Sequence, residues 1–198
     1  MPTVNVPARC RRLILGGQRT DIEAQVRAAL ERGKVDLIVS LGFAGAVDHR
    51  LEVGDLLLAT RVFGGADVYL DLPPLQAPGA VQGSLCSLVS GRPPAPLRGR
   101  RRLPPVYAFD DHGFWLARAA QTAGLPCLVL RSILLDATPD GQEPDPLLPE
   151  LLAGRLSRFL VRQPGRWREL PGLLRSVERC RSQLASALAV LLVLHGQA

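Results

Sequence analysis

A run of small residues, Gly42-Phe43-Ala44-Gly45-Ala46, directly follows the apolar, β-branched segment Asp36-Leu37-Ile38-Val39-Ser40-Leu41. A loop of small side chains at the carboxyl end of a buried parallel strand lets the backbone come close to a ligand, which is where open α/β sheets bind. The same residues also suit a plain tight turn. A second candidate is Arg131, the one charge inside the apolar run Cys127 to Leu135, because a buried charge requires a partner or water. Of the three histidines, His49 and His195 read as solvated loop and helix-end residues, whereas His112 stands at the start of a helical pattern. Cys10, Cys86, Cys127 and Cys180 have no CxxC spacing and apolar surroundings. They suit reduced, buried thiols better than a disulfide framework or a zinc site, so neither a metal nor another cofactor is expected.

These residues need elements to hold them. Leu13-Ile14-Leu15 before Gly16-Gly17 reads as a short buried strand ending in a loop. Thr20 and Glu23 form a capping box, Ile22, Val26, Ala29 and Leu30 recur at helical spacing, and Gly33 suits the end. Strand, helix and strand at this spacing imply a parallel pair. Leu56 to Phe63 is another strand, Val68 to Leu72 a short one, and residues 73 to 105, rich in Pro, Gly and Arg, form a long connection with one strand near Ser84 to Val89. From Asp111 the pattern is helical, with Phe114, Trp115, Leu116, Ala119 and Ala120 on one face and Trp115 read as a core residue. Gly124 ends that helix before Pro126 and the strand Cys127 to Leu135. The tail from Leu147 is helical in pieces broken at Pro164-Gly165 and Pro171-Gly172, the last running from about Leu174 to Leu194.

A chain of 198 residues, 47% of them apolar, can build one domain with a sizeable core, here taken as residues 1–198 with a helical extension over 147–198. The net charge of +6 comes almost wholly from arginine, Lys34 being the only lysine. Its densest runs, Arg98 to Arg102 and the C-terminal arginines from Arg155 to Arg181, lack interleaved aromatics that stack on bases, so no nucleic-acid partner is expected. Solvated surface, or a patch facing a membrane, accounts for them better. The longest apolar stretch, Leu184 to Leu194, is too short to span a bilayer, and a cytoplasmic protein is expected.

Gly42-Phe43-Ala44-Gly45-Ala46, a polar interval and then Leu51-Glu52-Val53-Gly54-Asp55 leading into an apolar strand resemble the paired signature of the nucleoside phosphorylase and nucleosidase superfamily. Ala108-Phe109-Asp110-Asp111-His112-Gly113-Phe114-Trp115-Leu116-Ala117 is similar to the family's "v-D-M-E-S-x-x-v-A", and Gly124-Leu125-Pro126-Cys127-Leu128-Val129-Leu130-Arg131-Ser132-Ile133 to its "G-i-P-f-l-x-i-R-x-I". The resemblance covers roughly residues 12 to 140. It implies a three-layer α/β/α fold around a central mixed, largely parallel sheet. It also implies cleavage of the N-glycosidic bond of a purine nucleoside, with water or inorganic phosphate as acceptor and a homo-oligomeric state. Phe43, Ala44 and Gly45 become the positions against base and sugar, Asp55 a turn residue, and Asp111, His112 and Arg131 further substrate-binding positions. The tail from Leu147, with Arg162-Gln163-Pro164-Gly165 and Leu170-Pro171-Gly172, resembles hopanoid-associated phosphorylases, which implies a hopanoid-linked nucleoside and peripheral membrane contact through the C-terminal helices.

The departures from the pattern set further expectations. His112 stands where the family has the acid that holds the ribose hydroxyls, and an imidazole accepts one hydrogen bond where a carboxylate grips a diol. Leu135 stands where the family has the acid that protonates the base, and Asp136 follows one residue late. A β-bulge that shifts the register lets Asp136 serve as that general acid, whereas an unshifted strand turns it to the opposite face. The family's first strand and acidic loop have no counterpart in residues 1 to 12, which is expected to leave a sheet edge for a partner subunit to cover. The alternative to an enzyme is a nucleoside-binding or regulatory protein of the same fold without the chemistry.

Overall fold

Ile22 and Val26, four residues apart, bury one side of helix α1 (Arg19–Leu30) against the molecule. The computed structural model describes residues 19–64, 68–73, 77–87, 106–135, 164–168 and 170–195. The expected strand at Leu13 to Leu15, the arginine run near residue 100, Asp136 and the tail from Leu147 to Gln163 lie outside these residues. After α1 come β1 (Ile38–Ala46), β2 (Leu56–Phe63), β3 (Tyr69–Asp71), β4 (Ala80–Ser87), β5 (Val106–Asp110), α2 (Gly113–Thr122) and β6 (Cys127–Leu135). A short 3-10 turn (Pro164–Arg168) then leads toward the long helix α3 (Leu170–His195).

Several bounds follow directly from composition. β2 and β6 are leucine-rich runs with β-branched residues, and each begins and ends where the sequence predicts. α2 is closed by Gly124 at φ 68, which no other residue adopts cheaply, with the Leu125 N–H reaching back to the Ala120 carbonyl at 3.0 Å. Two expectations need correcting. The small-residue segment is not a loop: β1 runs through Gly42, Phe43, Ala44 and Gly45 to Ala46, because the parallel ladder with β6 continues to Gly45 opposite Leu135. Pro171 does not break the last helix, because it falls in the first turn of α3, where its missing N–H has no partner to lose.

The six strands lie in the order β3-β2-β4-β5-β1-β6, and β2 also pairs with β6, so that the sheet curls round and meets itself. It is mixed, as expected, but parallel in only half of its pairings: β1–β6, β2–β4 and β4–β5 are parallel, whereas β1–β5, β2–β3 and β2–β6 are antiparallel. β2 pairs with β6 over Leu56 to Leu58, and β3 extends the other half of β2. One face carries Val129 and Ile133 into a core with α1 and α2, through Ile22, Val26, Phe114, Leu116 and Ala120. On the other face Leu56, Leu58, Leu128 and Leu130 receive Leu184, Ala187 and Leu191 of α3. Strand alternation therefore gives each face its own helical cover. The Glu23 carboxylate accepts from Arg118 Nε at 2.9 Å and ties α1 to α2.

Candidate functional site

Arg131 lies two residues from both Val129 and Ile133 on β6 and shares their face, so its side chain enters the side covered by α2. There it is 3% exposed. Its Nε donates to Asp110 Oδ2 at 2.8 Å and its Nη2 lies 2.7 Å from the same oxygen. Nη2 also donates to Ser40 Oγ at 3.0 Å, and Nη1 to the carbonyls of Ser40 and Leu130, each at 3.0 Å. A guanidinium has five N–H donors, so all of Arg131's hydrogen bonding is directed into the protein. Gly42 lies above it, where an added Cβ would sit 3.6 Å from Arg131 Cζ.

Asp110 is equally committed. As the last residue of β5 it points back at Arg131, and its second oxygen accepts from Ser87 Oγ at 2.5 Å. Its Oδ2 also takes the Gly113 N–H at 2.8 Å, and Ser87 Oγ takes the Phe114 N–H at 2.8 Å. The first two free amides of α2 are thereby satisfied by a buried carboxylate and the hydroxyl bonded to it, a favourable place for negative charge. Gly113 is required for this closeness, since a Cβ there would stand 2.6 Å from Asp110 Oδ2 and 2.9 Å from Leu85 Cδ2. The network joins the ends of β4 and β5, the middle of β1 and β6, and the start of α2.

The other expected site residues distribute around this network. Asp111 and His112 form the bend between β5 and α2, Asp111 exposed and His112 half-buried. The Asp111 carboxyl is held above its usual range, chiefly by desolvation on its protein side and also by the charge of Asp110, with His112 and Arg131 pulling the other way. His112 supplies its carbonyl to the Leu116 N–H at 3.0 Å, while its side chain makes no capping bond. Phe43, Ala44 and Gly45 lie on consecutive strand positions and so alternate: Ala44 is buried on the α2 face, Phe43 packs on the α3 face, and a Cβ on Gly45 would meet Leu135 at 3.8 Å. Trp115 is 4% exposed, edge-on to Phe114 at 4.8 Å, as a core residue. Asp55 is a turn residue, its Oδ2 accepting the Glu52 N–H at 2.9 Å.

At the end of β6 the ladder with β1 slips by one residue: Ala44 faces Ile133, but Gly45 faces Leu135. Leu134 is the extra residue of a β-bulge and stands two residues before Asp136 in the sequence. Asp110, Ser40, Ser87 and Gly113 were not singled out by sequence. The signal for Asp110 was present: a charge at Arg131 demands a partner, and Asp110 is the acid that leads the motif with Asp111 and His112. Among the described residues no three His, Cys, Asp or Glu side chains gather as a metal site, and no helix is long and apolar enough to cross a membrane. Cys86, Cys127 and Cys180 are buried and unpaired, and burial pushes the Cys86 and Cys127 thiols up to about 12.

Comparison with known proteins agrees with this architecture. Residues 9–96 match the Phosphorylase superfamily. The structure of the nucleosidase MTAN from Chlamydia trachomatis is 20% identical, with a TM-score of 0.51 over 85% of this chain and 71% of that one. The S-adenosylhomocysteine nucleosidase from Streptococcus pyogenes, solved with 5-methylthiotubericidin, is 19% identical, with a TM-score of 0.53 over 87% and 75%. The 5'-methylthioadenosine/S-adenosylhomocysteine nucleosidase from S. pneumoniae, solved with a transition-state inhibitor, is 18% identical, with a TM-score of 0.50 over 86% and 78%. No curated protein matches. The chain has the mixed α/β fold of these nucleosidases, and its residues 9–96 are similar to the Phosphorylase superfamily.

Proposed function

We propose that the protein cleaves the N-glycosidic bond of an adenosine-like purine nucleoside, with water or inorganic phosphate as acceptor. The observation that carries this reading is the bulge at Leu134. A leucine stands where the family's acid belongs, and a register shift of one residue is what Asp136 needs to take over the protonation of the leaving base. In this reading Phe43, Ala44 and Gly45 lie against base and sugar, and Asp111 and His112 meet the ribose. Arg131 acts through Asp110, by holding the start of α2 and hence the Asp111-His112 bend. Nucleosidases of similar fold were solved with adenine and with 5-methylthiotubericidin, which supports a small nucleoside as the ligand. We further propose a three-layer α/β/α domain spanning 1–198 and a cytoplasmic homo-oligomer. A hopanoid-linked nucleoside would be met by peripheral membrane contact of the C-terminal helices.

Incubation with adenosine, inosine, methylthioadenosine and adenosylhopane, with and without phosphate, is expected to release free base from at least one. No base from any of them removes the reading, and an Asp136→Asn variant with full activity removes the proposed acid. A second reading, a nucleoside-binding protein without turnover, is favoured by the four hydrogen bonds and the ion pair that engage the Arg131 guanidinium within the protein and by His112 in the acidic position. Calorimetry that shows purine binding with no base released supports it, and measurable turnover excludes it.

A further inference from the structure

The two neighbours of β6 treat its end differently. On the β2 side the pairs Leu58 with Leu130, Leu57 with Arg131 and Leu56 with Ser132 follow one another without interruption. The turn before β2 then adds one more step: the Ile133 N–H donates to the Asp55 carbonyl and the Gly54 N–H donates to the Ile133 carbonyl, both at 2.8 Å. On the β1 side the ladder skips from Ile133 to Leu135. The extra residue is therefore confined to Leu134, between an anchored Ile133 and a Leu135 that has found its new partner.

A third group closes on the same carbonyl. The Cys180 thiol, from the middle of α3, donates to the Ile133 oxygen at 3.0 Å and is wholly buried. With the Gly54 amide it fills both lone pairs of a carbonyl at the edge of a bulge, where a buried backbone group most needs partners. Leu134, 2% exposed, packs directly in the cluster of Cys180 with Val53, Leu173 and Val177. The turn is specified by Gly54, whose φ of 101 favours glycine and whose missing Cβ leaves room for Arg179, since that atom would stand 2.6 Å from Arg179 Nε. Consecutive residues of α3, Arg179 and Cys180, thus rest on the turn and on the bulge.

We propose that Gly54, Asp55 and Cys180 form a clamp that fixes the bulge in β6, and that they are positioning residues setting the register in which the strand leads into Asp136. This rests on the reading of Asp136 as the general acid, because a slip of one residue sends every following side chain to the other face. It assigns a task to the Gly-Asp turn beyond chain reversal, and to a cysteine whose burial otherwise reads as packing.

Amide hydrogen exchange on the full chain and the pH dependence of adenine release from methylthioadenosine test it together, in the wild type, Cys180→Ala, Cys180→Ser and Gly54→Ala. Loss of one neutral hydrogen bond in Cys180→Ala is expected to speed exchange of the Ile133 and Gly54 amides roughly three- to tenfold, with Val129 in the same strand unchanged. The kcat is expected to fall with KM held and the acid limb of the pH profile displaced, and Cys180→Ser, which keeps a donor, restores both. Unaltered exchange at Ile133 and Gly54 in both Cys180→Ala and Gly54→Ala overturns the clamp, as does an equal rise throughout β6, which marks general destabilisation. Faster exchange with an unchanged kcat and pH profile overturns the positioning role. A wild type that releases no base removes the proposed function instead, and the exchange rates still decide whether the clamp exists.

Discussion

Two aspartate–arginine pairs have nearly the same geometry and very different surroundings. Arg131 Nη2 lies 2.7 Å from Asp110 with side chains 4% and 3% exposed, and Arg50 Nη2 lies 2.6 Å from Asp48 with side chains 75% and 17% exposed. Distance is the same, so solvent decides what each pair does. The first pair cannot exchange its partners for water and is completed by Ser40, Ser87 and Gly113, which turns it into a rigid joint at the start of α2. The second decorates the turn after β1, where either group can return to water at little cost.

The largest expected effect comes from breaking the buried pair on one side. Asp110→Ala leaves Arg131 charged and unpaired, and is expected to lower stability by about 3–5 kcal/mol in denaturant unfolding. Replacing both groups, Asp110→Leu with Arg131→Met, is expected to recover a large part of that loss, because it removes the charge along with its partner. An Asp110→Ala midpoint equal to wild type would show that the joint is not mechanically important. Gly113→Ala follows in size: the added methyl overlaps Asp110 and Leu85, and overpacking of this kind costs about 1–3 kcal/mol. A Gly113→Ala protein as stable as wild type would mean that the approach of α2 to Asp110 is easily relaxed.

Burial separates the titrations as well. Cys86 and Cys127 have thiols raised by burial from 9.0 to about 12. A raised folded-state value favours the protonated form in the fold, so this contribution is complete below pH 9 and is lost as the pH climbs through about 12. Denaturant midpoints are expected to fall steadily across that window, and both thiols to resist iodoacetamide at pH 8 until the chain unfolds. Rapid labelling of the native protein would show that β4 and β6 open far more readily than their cores suggest.

The same contrast explains which parts of the architecture were legible in the sequence. The bounds of β2 and β6 are legible to the residue, because largely apolar runs bounded by turn residues leave few alternatives. The second half of β1 reads as a loop in the sequence, since Gly42, Ala44 and Gly45 have weak strand propensity, and only pairing with β6 extends them. β5, five residues after a proline-rich stretch, was absorbed into the motif that follows it. Periodicity showed that Arg131 is buried and needs a partner, yet the partner lies 21 residues earlier on a strand whose existence was not inferred. The sequence carries the bulge at Leu134 only as a condition, because a bulge depends on what the neighbouring strands and α3 present at that level.

The exposed pair offers the finest test. Arg50 donates to Asp48 through its side-chain Nη2 at 2.6 Å and, more weakly, its backbone N–H at 2.9 Å, and these bonds hold the Asp48 carboxyl down to about 2. A depressed folded-state value places the associated stability above the ordinary 3.8 and removes it as pH falls toward 2. Arg50→Ala is expected to move the Asp48 midpoint in an NMR titration up toward 3.8, while the unfolding midpoint at pH 7 stays close to wild type. The backbone N–H of Arg50 remains in that variant, so the rise should be incomplete. Raising the salt to about 1 M, where screening acts within about 3 Å, should shift Asp48 in the same direction in the wild type. If instead Arg50→Ala destabilises the protein as much as Asp110→Ala, then exposure does not set the worth of these pairs, and the turn after β1 has a structural task that its solvent contact conceals.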